Sequence, residues 1–425
     1  MNPVILLLTG GFAGFVAAGV PFAIAIGVVV TLVLVVADIE PAFLAQQLVA
    51  GSQSFSLLAI PLFMLAGELM TAGGLSQRLI DAASVLVRHR TGGLAMVAVL
   101  AAVVFSAISG SAPATTAAIG TILIPAMARA GYDKAFATSI AVSAGVLGPL
   151  IPPSIAFVIW GIVAEQSIGK LFLSGIVPGL SIAFGLLVLC WVHAKRNKVP
   201  KQEKAQLPEV WAAFHKGKWA LLSPLLVLGG IYGGVFTPTE AAGISCVYAL
   251  VIGLFVERKL HWRDLPRIVL QAMRTSAIVT AIIAVSAGFG VLIAQEQIAT
   301  NFAAWLANHV TEKWMALAGL NIAFFLLAAV MDEIAIMVIL GPMLIAIGTK
   351  FGVDPIHFGA IIVTNVAIGM AAPPIGYCLF VGMAISGLSL TRISRAIWPQ
   401  ILVMLVVLFL TTYIPSFALM LQPGR

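Results

Sequence analysis

Residues 145–153 read Gly145-Val146-Leu147-Gly148-Pro149-Leu150-Ile151-Pro152-Pro153, and residues 369–374 read Gly369-Met370-Ala371-Ala372-Pro373-Pro374. Each Pro-Pro pair interrupts an otherwise apolar run. A proline inside a helix removes a backbone hydrogen bond and displaces the preceding turn, so each run is expected to form a helix broken in its middle. The two breaks lie 221 residues apart, and that one offset aligns much more of the chain. Gly131, Asp133, Gly148, Pro152, Pro153, Gly161 and Pro178 fall on Gly352, Asp354, Gly369, Pro373, Pro374, Gly382 and Pro399 without a gap. Ala66-Gly67 fall on Ala287-Gly288, and Ser111 falls on Asp332. Chance supplies one or two glycine matches, not this set. The chain reads as an internal duplication.

Composition says where such a chain lives. Of 425 residues, 61% are hydrophobic and 9% are charged, against roughly 25% charged in soluble proteins. Apolar stretches long enough to span a bilayer recur along the whole length, which excludes soluble enzymes and nucleic-acid binders. The net charge of +7 reflects short basic clusters between apolar runs, the pattern of cytoplasmic loops. The first apolar run, residues 4–36, has no basic segment before it and no cleavage site after it, so it is not expected to be a signal peptide. Cys190, Cys246 and Cys378 lie in apolar stretches without metal-binding spacing and read as small buried hydrophobes. No HExxH, P-loop or GxSxG occurs, and no His/Cys set suggests catalysis. An enzyme is not expected.

The basic clusters set the threading. Regions 195–218 and 258–274 belong in the cytoplasm, with Arg88, Arg90, Arg129, Lys134, Arg392 and Arg395 on the same side. The apolar pieces 93–108 and 115–128 leave and return to that side and are short for full crossings, so they are expected to form a re-entrant hairpin. Pieces 314–330 and 334–349, flanked by Lys313 and Lys350, repeat this from the opposite side. Stretches 75–90 and 296–308 are amphipathic and suit the membrane surface. The expected fold is an all-α polytopic membrane protein, an inverted repeat with two re-entrant hairpins and two Pro-Pro broken helices. That is the construction of many secondary transporters.

The chemistry follows from the hairpin tips. The first turns at Ser109-Gly110-Ser111-Ala112-Pro113 with Thr115 and Thr116 beyond, offering hydroxyls and carbonyls as hard oxygen ligands. Small-residue helix packing is the competing account of the same residues. The second tip holds Asp332 and Glu333, with no Lys or Arg between Lys313 and Lys350 to neutralise them. A carboxylate there costs roughly 2.5–3.5 kcal/mol on insertion scales, so a bound cation is the economical partner. Carbonyls freed at the breaks, on Gly148, Ile151, Gly369 and Ala372, are further candidates, and the half-helices beyond present positive N-termini to an anion. Glu68 stands alone in an apolar helix, and Glu240 is expected at a turn capped by Thr239.

The chain resembles the large membrane subunit (M component, DctM type) of tripartite ATP-independent periplasmic (TRAP) transporters. The resemblance runs through FSLLAIPLFMLAGELM (55–70), SGSAPATTAAIG (109–120), GPLIPPSIAFVIWG (148–161), KLFLSGIVPGL (170–180), GGVFTPTEAAG (233–243), and DPIHFG with AIGMAAPPIGYCLF (354–380). It implies an elevator-type carrier of the bacterial inner membrane, working with a small four-helix membrane subunit (Q) and a periplasmic substrate-binding protein (P). It implies import of a small organic anion driven by Na+ without ATP or an organic cofactor. By motif, Ser109, Ser111, Gly148, Ile151 and Pro153 would form one Na+ site, and Asp332, Gly369, Ala372 and Pro374 a second. Substrate would lie near Ser111, Thr115 and Ser154. Pro113-Ala114 after the Ser-Gly-Ser-Ala start leaves open whether the acid is a C4-dicarboxylate, a sugar acid such as sialic acid, or a sulfonate.

The resemblance divides the chain into scaffold 1–92, a transport half 93–169, scaffold 170–313, a second transport half 314–391 and a final helix 392–425. Membrane lipid is the remaining expected partner, and the small subunit is expected as a separate polypeptide. A self-sufficient Na+- or H+-coupled anion carrier or antiporter is the alternative. It differs in needing neither partner protein.

Overall fold

The computed structural model describes residues 2–199, 201–310 and 312–422, all helix and connecting turns with no strand among them. The end of the last expected segment, residues 423–425, lies outside the described residues. Among the described residues, six helices are long and apolar enough to cross a membrane by length and composition. The duplication is visible helix by helix. Ala112–Arg129 and Glu333–Lys350 coincide at both ends under the 221-residue offset. Lys134–Gly145 matches Pro355–Gly369, Ile155–Val163 matches Tyr377–Ser386, and Ile168–Arg196 matches Leu390–Tyr413. Both Pro-Pro bonds, Pro152-Pro153 and Pro373-Pro374, are cis.

The hairpins differ from expectation in length. The first has arms Gly93–Ser109 and Ala112–Arg129, longer than the apolar pieces alone suggest. Pro113 does not belong to the turn. It sits in the first helical turn, where its missing N–H is one the helix leaves unpaired anyway. The second hairpin has arms Lys313–Ala328 and Glu333–Lys350. The arms of the first hairpin pack along each other, whereas those of the second diverge. Lys313–Ala328 lies on Pro355–Gly369, and Glu333–Lys350 lies on Ile298–His309 and Leu265–Gln295.

The halves interlock. Ala112–Arg129 packs against Tyr377–Ser386, and Glu333–Lys350 packs against Ile155–Val163, so each hairpin touches the half-helix beyond the other repeat's break. A β-carbon at Gly341 would stand 2.3 Å from Val163 Cγ1, which marks how close that crossing is. One large apolar cluster runs through both halves. A smaller one fixes Phe22–Val36 to Leu265–Gln295 and Glu333–Lys350 through Ile26, Val29, Val30, Phe289 and Ile339.

Long-range polar contacts join the clusters that charge alone placed together. Arg88 pairs with Glu209 at 2.6 Å, Arg78 with Glu257 at 2.8 Å, and Arg392 with Asp133 at 3.4 Å. The hydrogen bond from Arg88 holds the Glu209 carboxyl below the usual carboxylate range. At the opposite end, Lys313 Nζ donates to the Gly352 carbonyl at 2.9 Å, and Gln422 donates to that of Lys170 at 2.8 Å. One expected cap moves. The helix Pro238–Val251 is capped by Thr237, not Thr239: Thr237 Oγ1 accepts from Glu240 N, and Glu240 accepts from Thr237 N at 2.8 Å. Pro238 at the first helical position makes Thr237 the natural N-cap.

Candidate functional site

The first tip is built against the first break. Gly110 takes φ +61°, a conformation open to glycine, and its carbonyl accepts a hydrogen bond from Ile155 N at 3.2 Å. A β-carbon on Gly110 would also lie 2.7 Å from the Pro153 carbonyl oxygen. Gly148 passes so near that a β-carbon there would stand 2.5 Å from the carbonyl carbon and oxygen of Ser111. Around that carbonyl the hydroxyls close in. Thr115 Oγ1 donates to it at 2.9 Å, and Ser109 Oγ lies 2.8 Å from Thr115 Oγ1. Ser109, Ser111, Gly148 and Pro153 are thus gathered at one place, with Ile151 buried in the same break.

The second tip meets its break through different residues. Ile375 N and Gly376 N donate to the Ala329 carbonyl at 3.2 and 2.9 Å. A β-carbon on Gly369 would stand 2.2 Å from Ala328 Cβ, so this break rests on the end of the first arm and not on Asp332. Asp332 caps its helix by accepting from Ile334 N at 2.9 Å. Glu333 is 5% exposed, and its Oε2 has no hydrogen-bond partner among the described residues. Neither carboxylate forms an ion pair among the described residues. The Gly369 carbonyl, expected to be free, accepts from Ala372 N at 2.9 Å, because a tight turn replaces the lost helical bonding.

Both tips open on one cavity of about 650 Å³. Ser109, Ser111, Asp332 and Glu333 line it from the tips. The same cavity is lined by Glu68 and Gln271, from Ala59–Ala72 and Leu265–Gln295. Thr115 and Ser154 lie behind the wall with no exposure. Ser154 caps Ile155–Val163, accepting from Phe157 N at 3.2 Å and donating to the Pro149 carbonyl. Among the described residues no lysine, arginine or histidine lines the cavity. Three carboxylates with no fixed cation, beside hydroxyls and helix N-termini, make a place suited to a small cation together with an anion.

Residues 9–417 match the family described as tripartite ATP-independent periplasmic transporter, DctM component. The chain belongs to this family. It is 37% identical to the C4-dicarboxylate TRAP transporter large permease protein DctM of Rhodobacter capsulatus, covering 98% of each chain. It is 41% identical to the isethionate TRAP transporter permease protein DctMQ of Oleidesulfovibrio alaskensis, over 96% of this chain and 65% of that one. The crystal structure of the Alcanivorax borkumensis YdaH transporter superposes with a TM-score of 0.64 at 15% identity, covering 88% of both chains. That likeness concerns the fold alone. This DctM-family chain is a multi-pass inner-membrane transporter permease, and its relatives are permeases and not enzymes.

Glu68 and Gln271 were not marked by sequence as a pair. Gln271 Nε2 donates to Glu68 Oε1 at 3.3 Å across 203 residues of chain. The isolated charge of Glu68 in an apolar helix was the available signal, but nothing local names its partner.

Proposed function

We propose that this permease imports a small organic acid by Na+-coupled secondary transport, receiving it from a periplasmic binding protein and working beside a small membrane subunit. The observation that carries the reading is the convergence of both tips, one neutral and one acidic, on a single cavity without a basic side chain. An anion entering such a cavity needs cations to accompany it. Oxygen ligands at the first tip and its break (Ser109, Ser111, Gly148, Ile151, Pro153) serve that need, and Asp332 serves it at the second tip. Ala372 and Pro374 are the further oxygens there, in a break whose Gly369 carbonyl is already hydrogen-bonded. Ser111 faces both ion and substrate, with Thr115 and Ser154 bracing the wall behind it.

In this reading segments 93–169 and 314–391 move together as the transport unit, and segments 1–92 and 170–313 form the frame. The C4-dicarboxylate and isethionate relatives support a small carboxylate or sulfonate as cargo. The part of the Oleidesulfovibrio protein outside the match, about a third of its length, supports a separate Q-type partner here. The test is uptake into proteoliposomes containing this chain and its small subunit, with and without the binding protein, in Na+ or choline. Uptake is expected only with both partners and Na+, rising sigmoidally with external Na+ and needing no ATP. Robust uptake by the isolated chain would favour a lone carrier, and equal rates in choline with a proton gradient would mean H+ coupling.

A further inference from the structure

A second pocket, of about 510 Å³, lies away from the transport cavity at the end of the helix Leu390–Tyr413. Arg392, Arg395, Ser389 and Thr391 line it on one side, and Asp133 lines it on the other. Asp133 is largely committed. Its Oδ2 caps Lys134–Gly145 by accepting from Phe136 N at 3.0 Å, and its Oδ1 pairs with Arg392 at 3.4 Å. Arg395 makes no ion pair among the described residues and is exposed. Two arginines against one occupied carboxylate leave the pocket cationic.

The same helix supplies a second feature. Trp398, Leu402, Val406 and Phe409 follow Arg395 at intervals of three and four residues, and they are 47%, 60%, 60% and 60% exposed. Ile393, Ile397, Ile401 and Met404 on the other face are fully buried. One stripe therefore runs from a cationic pocket past an interfacial tryptophan onto bare apolar surface. A guanidinium pair binds phosphate oxygens, and the stripe is about as long as one leaflet of a bilayer. Neither half alone selects a lipid, but a soluble phosphate would leave the stripe unused.

We propose that this pocket and stripe hold one anionic phospholipid of the cytoplasmic leaflet. Its phosphodiester sits between Arg392 and Arg395, with Ser389 and Thr391 as hydroxyl donors, and an acyl chain lies along Trp398, Leu402, Val406 and Phe409. A headgroup without its own cation, as in phosphatidylglycerol, is preferred to phosphatidylcholine, because a choline would bring a charge to face Arg395.

The test is native mass spectrometry of the full chain released from micelles doped with equal phosphatidylglycerol and phosphatidylcholine. One retained phosphatidylglycerol is expected, and Arg392→Gln with Arg395→Gln should lower its retention roughly thirtyfold by the usual worth of two basic residues at an anionic surface. Trp398→Ala, which leaves the arginines in place, should weaken retention of both lipids alike. Unchanged retention in the double glutamine variant would overturn the proposal. Displacement of the lipid by millimolar glycerol phosphate would also overturn it, since the site would then belong to a soluble phosphate. Crosslinking of a photoreactive residue at Leu402 to the small subunit in place of lipid would do the same.

Discussion

The two hairpin tips share an origin and a backbone plan, yet they are held by different means. At the first, Gly110 adopts a left-handed turn, and Ser111 follows at once in extended conformation to start the next helix. Its equivalent, Met331, carries a side chain and takes no positive φ. The first arm of that hairpin accordingly ends at Ala328, and the turn spreads over Ala329, Val330 and Met331. The anchoring bond moves with it. Ile155 N reaches Gly110, whereas the equivalent Gly376 N reaches Ala329, two residues before Met331. A missing glycine has thus shifted one tip relative to its break and left Asp332 and Glu333 outside the close contact that Ser111 makes with Gly148. Divergent chemistry at the tips rests on one backbone torsion.

The largest expected effect breaks the tight side of this comparison. Gly148→Ala puts a methyl into the Ser111 carbonyl, where backbone cannot yield cheaply, and displacing that oxygen by about 1 Å should reduce uptake on the order of a hundredfold. Gly369→Ala pushes on Ala328 instead and should spare the Na+ response of the first tip while lowering the apparent melting temperature. Measured together, equal Na+ responses in the two variants would deny that the tips differ in how they bind.

The acidic side is tested by Asp332→Asn, expected to assemble normally and to lower the Hill coefficient for Na+ towards one. Ser111→Ala should weaken both substrate and Na+ affinity in the same proteoliposome assay. Wild-type Na+ dependence in Asp332→Asn would remove this carboxylate from coupling. A smaller effect attaches to Glu333, whose buried Oε2 lacks a partner. Glu333→Gln keeps the shape but removes the charge a cation would meet, and should shrink the gain in melting temperature that Na+ brings. A gain as large as that of the parent protein would mean that Glu333 is not where the ion acts.

The smallest prediction concerns Ser154. Its equivalent at the second break is Ile375, which has no hydroxyl, so the cap on Ile155–Val163 belongs to one repeat only. Ser154→Ala should cost about 1 kcal/mol of stability and leave the KM for substrate almost unchanged. A raised KM with unchanged stability would instead make the hydroxyl a substrate ligand.

Much of this architecture was legible because prolines and glycines act locally. The doublets Pro152-Pro153 and Pro373-Pro374 break their helices, whereas single prolines such as Pro178 and Pro399 sit inside continuous ones, and an Asp332 without an ion partner in an apolar stretch advertises itself. The fit of Gly369 to Ala328 was not legible, since it depends on where a hairpin stops, and that is set by Met331 failing to turn as Gly110 does. The pairing of Glu68 with Gln271 was equally hidden, because it needs two helices from different halves to cross at one level. The cap at Thr237 is a milder case: Thr237 and Thr239 both suit the role, and the position of Pro238 decides between them.

The helix Leu265–Gln295 also serves as a ruler. Its 31 residues rise about 46 Å. Gln271 stands about 9 Å from its first residue and Ile282 about 26 Å, so the cavity wall they share is centred about 17 Å along the helix, short of its midpoint and nearer the basic end. A molecule in the cavity is therefore closer to the side marked by Arg258, Arg263 and Arg267 than to the side marked by Lys313 and Lys350.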